Sequence, residues 1–174
     1  MEKSLKLARV HRADLVLPAY SHLMKLGHLF KFTLEFVPGK NNIFTAEGAL
    51  GEALNTELIR VLNILYSIDA VWKVLTGKFY LKGCYPQYTA GDTTSAGLGL
   101  AITLFNIIRS INGSRQVKDI VGTGFIRIGG GIDLVEGINS KSAAVLRHHD
   151  SHCQLLTAKE VSHLRLLDRC LIKG

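Results

Sequence analysis

From His28 to Val37 the chain alternates apolar and polar residues (HLFKFTLEFV), with aromatic and β-branched side chains among them. This pattern predicts a half-buried strand that ends at the turn Pro38-Gly39. Asn42 to Ala46 reads as a second strand. The period then changes. Between Ala49 and Tyr66, Leu50, Leu54, Leu58, Val61, Leu62 and Leu65 recur at helical spacing and predict an amphipathic helix packed on a sheet. Lys78 to Cys84 is strand-like, and Tyr85 to Thr94 is a polar loop carrying Pro86, Gly91 and Asp92. From Ala96 to Ser110 (AGLGLAITLFNIIRS) the residues are apolar nearly all round, which predicts a helix buried on most faces and buried at its start.

In the second half, Val121 to Ile128 and Ile132 to Val135 are predicted as two strands joined in a hairpin through Gly129, Gly130 and Gly131. Asn139 is placed to cap a helix through Lys141 to Arg147. A strand near Cys153 to Leu156 is expected to precede a last helix that opens on the capping pattern Thr157-x-x-Glu160. Strands and helices mix without a repeating βαβ order, so the expected class is α+β, with small mixed sheets packed with helices.

Composition narrows the picture modestly. The 174 residues suit one domain, and 47% hydrophobic but only 7% aromatic content predicts an aliphatic core. Charged or polar residues interrupt every candidate apolar run short of the ~18 residues that cross a bilayer. The stretch from Met1 to Leu17 mixes Lys3, Lys6, Arg9, His11, Arg12 and Asp14 among its leucines, unlike a signal peptide. The expectation is a cytoplasmic protein without membrane contact. Cys84, Cys153 and Cys170 are odd in number and form no C-x-x-C pair, which suits reduced packing thiols. A net charge of +7 can steer acidic partners, but the basic residues are scattered and argue against nucleic acid as the main partner.

Ser95 stands where the polar loop meets the buried helix. A hydroxyl there receives the positive helix end, and free backbone N–H groups at that end can hold an oxyanion, which suits acyl transfer. No histidine is nominated as its base, so lysine is the alternative. An exposed lysine would need its pKa lowered by about 3 units to serve near neutral pH. Lys141, in the first turn of a short helix among Ser140, Ser142, Ala143 and Ala144, can pack inward, and both burial and the helix start disfavour its charge.

Several blocks occur in a fixed order: Val37-Pro38-Gly39-Lys40, Gly48-Ala49-Leu50-Gly51-Glu52 entering a helix, Asp92-Thr93-Thr94-Ser95-Ala96-Gly97, Thr123-Gly124, and Gly137-Ile138-Asn139-Ser140-Lys141 followed by Ala143-Ala144. In these blocks the chain resembles the Lon protease proteolytic domain, over about Val16 to Leu164. The resemblance implies a Lon-like fold and a Ser-Lys dyad, with Ser95 as nucleophile and Lys141 as base. It also implies Thr123 as the hydroxyl that holds the amine, and Asp92 as the acidic residue before the nucleophile. Residues 1–15 then read as a basic N-terminal extension and residues 16–174 as the domain, without the ATPase module, since no Gly-x-x-x-x-Gly-Lys-Ser/Thr loop is present.

The implied activity is an ATP-independent serine endopeptidase acting on peptides or unfolded protein, needing no cofactor. The implied partners are further copies of the chain, as in a ring, and a separate ATPase. The chain departs from the family pattern at Thr93-Thr94, which replaces Gly-Pro; at Glu136, which replaces a glycine near the lysine; and at Phe125, which replaces a glutamate.

Three other readings carry weight. A catalytically silent adaptor of the same fold is the alternative of a different class, since function lives in the site rather than the fold. His148-His149-Asp150-Ser151-His152-Cys153 offers imidazole and thiol for a metal, or a Cys153 nucleophile, but its spacing suits neither four convergent ligands nor a facing pair. The glycines from Gly122 to Gly131 break the G-x-G-x-x-G dinucleotide pattern at Arg127 and fit a hairpin better.

Overall fold

A computed structural model of the chain describes residues 9–21, 26–83, 93–148 and 153–172. Two long strands, β1 (His11–Ser21) and β2 (Leu26–Pro38), pair antiparallel. Strand β3 (Ile43–Ala46) leads into helix α1 (Gly48–Ile68), and after the 3-10 turn Ala70–Val74 comes β4 (Gly77–Lys82). The four strands form one sheet in the order β1-β2-β4-β3, with β3 and β4 parallel. The period-2 pattern works as the alternation requires: Ala13, Leu15 and Leu17, Phe32, Leu34 and Phe36, and Phe79 and Leu81 are buried. Phe36 and Phe44 both pack against Phe79, with ring centroids 4.9 Å apart in each pair.

Helix α2 (Gly97–Ile111) and the inner stripe of α1 (Leu54, Leu58, Val61, Leu62 and Leu65) join these side chains in one core. Every residue of α2 from Gly97 to Ile107 is buried, as its all-round apolarity predicts. Residues Thr94–Ile111 form, by length and mean hydropathy (1.3), an apolar stretch that could cross a membrane, which corrects the expectation that none is long enough. Two thirds of that window (67%) is buried inside the protein, so its apolar surface is covered by the chain itself.

The structure departs from the sequence-based expectations in several places. β1 starts at His11, so the division expected at Val16 between a basic extension and the domain falls inside a core strand. The free edge of β1 is partly closed by side chains, because Gln116 Nε2 donates to the Arg12 carbonyl and Thr103 Oγ1 to that of Asp14.

The single strand expected from Val121 to Ile128 is two: β5 (Ile120–Gly122) and β6 (Phe125–Ile126). β5 pairs in parallel with β8 (Gln154–Leu156), whereas β6 forms a short hairpin with β7 (Ile132–Asp133). Gly129 and Gly130 turn that hairpin at φ of 93° and 100°, a region closed to most side chains.

Helix α3 (Ile138–His148) begins before Asn139, so Asn139 is a helical residue and not the cap. The Gly137 carbonyl accepts the Lys141 N–H at 2.9 Å. At Thr157 the capping pair forms, with the Thr157 N–H donating to Glu160 Oε2 at 2.7 Å. Burial pushes the Glu160 carboxyl up, but the bonds from the Thr157 hydroxyl and N–H outweigh it and hold the group below its usual range. They close only a turn. The last helix, α4 (Leu167–Ile172), follows the 3-10 turn Leu164–Leu166, which is capped by His163 Nδ1.

Candidate active site

The break between β5 and β6 has a cause in backbone hydrogen bonding. The Thr123 N–H donates to the Leu156 carbonyl at the end of β8, and the Gly124 N–H to the Ser95 carbonyl, each at 3.0 Å. The Gly124 carbonyl accepts the Leu98 N–H at 3.1 Å. The Thr123 bond is the last rung of the β5–β8 ladder, and at Gly124 the chain leaves that ladder and is stitched to the turn that carries Ser95. The approach is close: a Cβ on Gly97 would lie 2.8 Å from Ile126 Cγ1, and one on Gly124 would lie 2.9 Å from Ile132 Cγ2. The glycine of Ser95-Ala96-Gly97 lets the start of α2 approach the hairpin, and that of Thr123-Gly124 lets the chain close on Ile132 of the hairpin's second strand.

Ser95 sits half-buried in the 3-10 turn Thr94–Ala96, just ahead of α2 and not in its first turn. Lys141, in the first turn of α3, is 3% exposed, against the usual solvated state of lysine. Its Nζ donates to Thr123 Oγ1 at 3.2 Å, and Thr123 Oγ1 donates in turn to the Ser95 carbonyl at 3.4 Å. Thr123 itself is 1% exposed. The structure brings Ser95, Thr123 and Lys141 onto one hydrogen-bonded chain drawn from three separate elements. Asp92 and Cys84 lie outside the described residues, as do residues 149–152 of the histidine-rich cluster.

The backbone donors expected to be free at this helix start are in use. The Ala96 N–H bonds the Thr93 carbonyl, the Gly97 N–H bonds that of Thr94, and the Leu98 N–H bonds that of Gly124. An oxyanion is therefore not held by these three groups. The positive end of α2 still favours negative charge at Ser95.

Beneath the serine turn lies a feature that the sequence reading missed. Glu57, on the inner face of α1 and 5% exposed, pairs with Arg60 through Nε at 3.0 Å and through a second nitrogen at 2.5 Å. A Cβ on Gly97 would lie 3.3 Å from Glu57 Oε1, so the carboxylate supports the helix start directly. Arg60 also donates to the Ile126 carbonyl at 2.6 Å and lies 4.8 Å from the centre of the Phe125 ring. The pair ties α1 to the start of α2 and to the hairpin that follows Thr123. Its signal was legible: Glu57 stands beside Leu58 on the apolar stripe of α1, three residues after Leu54 and four before Val61.

Glu136, which stands near the lysine along the chain, is exposed in the turn before α3. The Cys153 thiol is pushed up, first by burial and then by the Asp119 carboxylate. That is opposite to what a thiolate nucleophile requires.

No protein-family model matches the chain, and no curated protein matches it.

Proposed function

We propose that this protein is a serine peptidase of the Lon proteolytic type, with Ser95 as nucleophile and Lys141 as general base. The observation that carries the reading is the buried Lys141 amine bonded to the hydroxyl of Thr123, which is tied to the Ser95 carbonyl. Burial favours the neutral amine, the only form that can accept a proton. The direction of the bonds matters as well. Because the Thr123 proton is directed at the Ser95 carbonyl, the amine donates to Thr123 and does not accept from it.

In the resulting cycle the amine takes the Ser95 proton as Oγ attacks the substrate carbonyl carbon. The ammonium returns that proton to the leaving amine as the peptide bond breaks, and an acyl-enzyme remains. Water, deprotonated by the same amine, then releases the acyl group. The sequence blocks shared with the Lon proteolytic domain support the same assignment and add self-association and a separate ATPase as partners. Substrates are peptides or unfolded chains, which reach a half-buried serine more readily than folded proteins do.

Incubation with unfolded casein tests the reading: slow cleavage without ATP is expected from the wild type and none from Ser95→Ala. Labelling of Ser95 by a serine-directed inhibitor with no cleavage of casein or short peptides would instead favour the silent adaptor. The rate is expected to climb as pH rises through the titration of Lys141, since protonated amine is inactive as a base. A profile flat across the alkaline range refutes Lys141 as the base.

A further inference from the structure

A cavity of about 470 Å³ opens between the end of α1, the 3-10 turn Ala70–Val74, the C-terminal half of α2 and the turn that leads into α4. Its volume falls in the range that small ligands occupy. Ser95, Thr123 and Lys141 do not line it. At about 1.5 Å of rise per residue, Arg109 stands roughly 20 Å along the α2 direction from Ser95.

The walls divide by chemistry. Trp72, Phe105, Ile108 and Leu164 supply apolar surface, with Phe105 8% exposed and Leu164 4%. Asp69, Arg109, Arg165 and Asp168 supply charge of both signs in equal number. Among the described residues none of these four takes part in an ion pair, although Glu35, Glu57 and Asp133 find arginine partners elsewhere.

Two of the charges are already held in place. Asp69 Oδ1 accepts the Val71 N–H at 3.0 Å, and Arg109 Nε donates to the Arg115 carbonyl while its guanidinium carbon lies 5.8 Å from the Phe105 ring centre. Charges fixed before binding lose less freedom when a ligand arrives.

We propose that this cavity binds a small zwitterion with a large apolar group, in practice a hydrophobic amino acid or a short peptide with free termini. The apolar body lies against Trp72 and Phe105, the carboxylate meets arginine and the ammonium meets aspartate. A ligand with one charge would engage one pair and leave the other to solvent, because Asp69, Arg165 and Asp168 are exposed. The assignment does not depend on the peptidase reading.

Trp72 is the chain's only tryptophan, so intrinsic tryptophan fluorescence reports on this cavity alone. Titration with leucyl-leucine should give a saturable change in emission. The change should be the same in the wild type and in Ser95→Ala, which separates it from any event at the serine. N-acetylated and C-amidated leucyl-leucine, and the variants Arg165→Ala and Asp168→Ala, should each bind at least tenfold more weakly with an unchanged circular dichroism spectrum. Three results would overturn the proposal: no saturable change at millimolar dipeptide, equal binding of the capped peptides, or undiminished binding in both variants.

Discussion

Lys141→Met is expected to lower peptide hydrolysis by about 10²- to 10⁴-fold, the range that a positioned general base contributes, without changing the circular dichroism spectrum. Methionine keeps the length and the apolar stem of a side chain that is 3% exposed, so the pocket in α3 stays filled. Thr123 keeps its bonds to the Leu156 and Ser95 carbonyls, which do not involve the amine. What is removed is the amine, with its bond to Thr123 Oγ1 and its capacity for proton transfer. Lys141→Arg should be no better, because a guanidinium stays protonated at any working pH. Turnover near the wild-type level in a folded Lys141→Met protein would sink the dyad, whatever Ser95→Ala does.

Arg60→Ala should destabilise the fold by about 3 kcal/mol, because it leaves the Glu57 carboxylate buried without its charge partner. The estimate stands at the low end of the usual range, since the Arg60 side chain is 32% exposed and water can replace part of what it gives. For a chain of this length the loss corresponds to a drop of about 6–12 °C in Tm. Adding Glu57→Gln to Arg60→Ala should restore more than half of it, because the buried group is then neutral and the amide can still hydrogen-bond.

The same cycle reads the site. Arg60 also holds the Ile126 carbonyl, two residues beyond the Gly124 N–H that bonds Ser95. At temperatures where the variant is folded, kcat should therefore fall while KM changes little, since substrate contacts are untouched. A Tm within a degree of the wild type, or a loss that the second change fails to recover, would mean that Glu57 is adequately solvated and that the pair supports nothing.

Much of this molecule could be read directly from local pattern. The alternation of β2, the helical stripe of α1 and the all-round apolarity of α2 each produced the expected element, because side-chain period and backbone period are properties of a few adjacent residues. β1 carried the same signal, with Ala13, Leu15 and Leu17 alternating against Arg12 and Asp14. Its basic composition drew it into a supposed extension, and only its pairing with β2 shows it to be a core strand. The order Ser95, Thr123, Lys141 was likewise visible along the chain, but as a set of candidates with no distances between them.

What the tertiary structure decided are the places where a backbone group had a distant partner to choose. Local propensity runs Val121 to Ile128 as one strand. Instead, the ladder with β8 ends at the Thr123 N–H and the Ser95 carbonyl takes the N–H of Gly124, breaking the strand beside the Thr123 hydroxyl. The Thr157 N–H and hydroxyl both bond the Glu160 carboxylate but begin no helix, because Val161, Leu164 and Leu167 are drawn into the core and Ile132 bonds the Ser162 carbonyl. The burial of Lys141 and the pairing of Glu57 with Arg60 beneath Gly97 depend on α1, α2, α3 and the hairpin arriving together. A sequence fixes which residues can be buried, whereas burial of a charge needs all its neighbours, and these are brought together only by the completed fold.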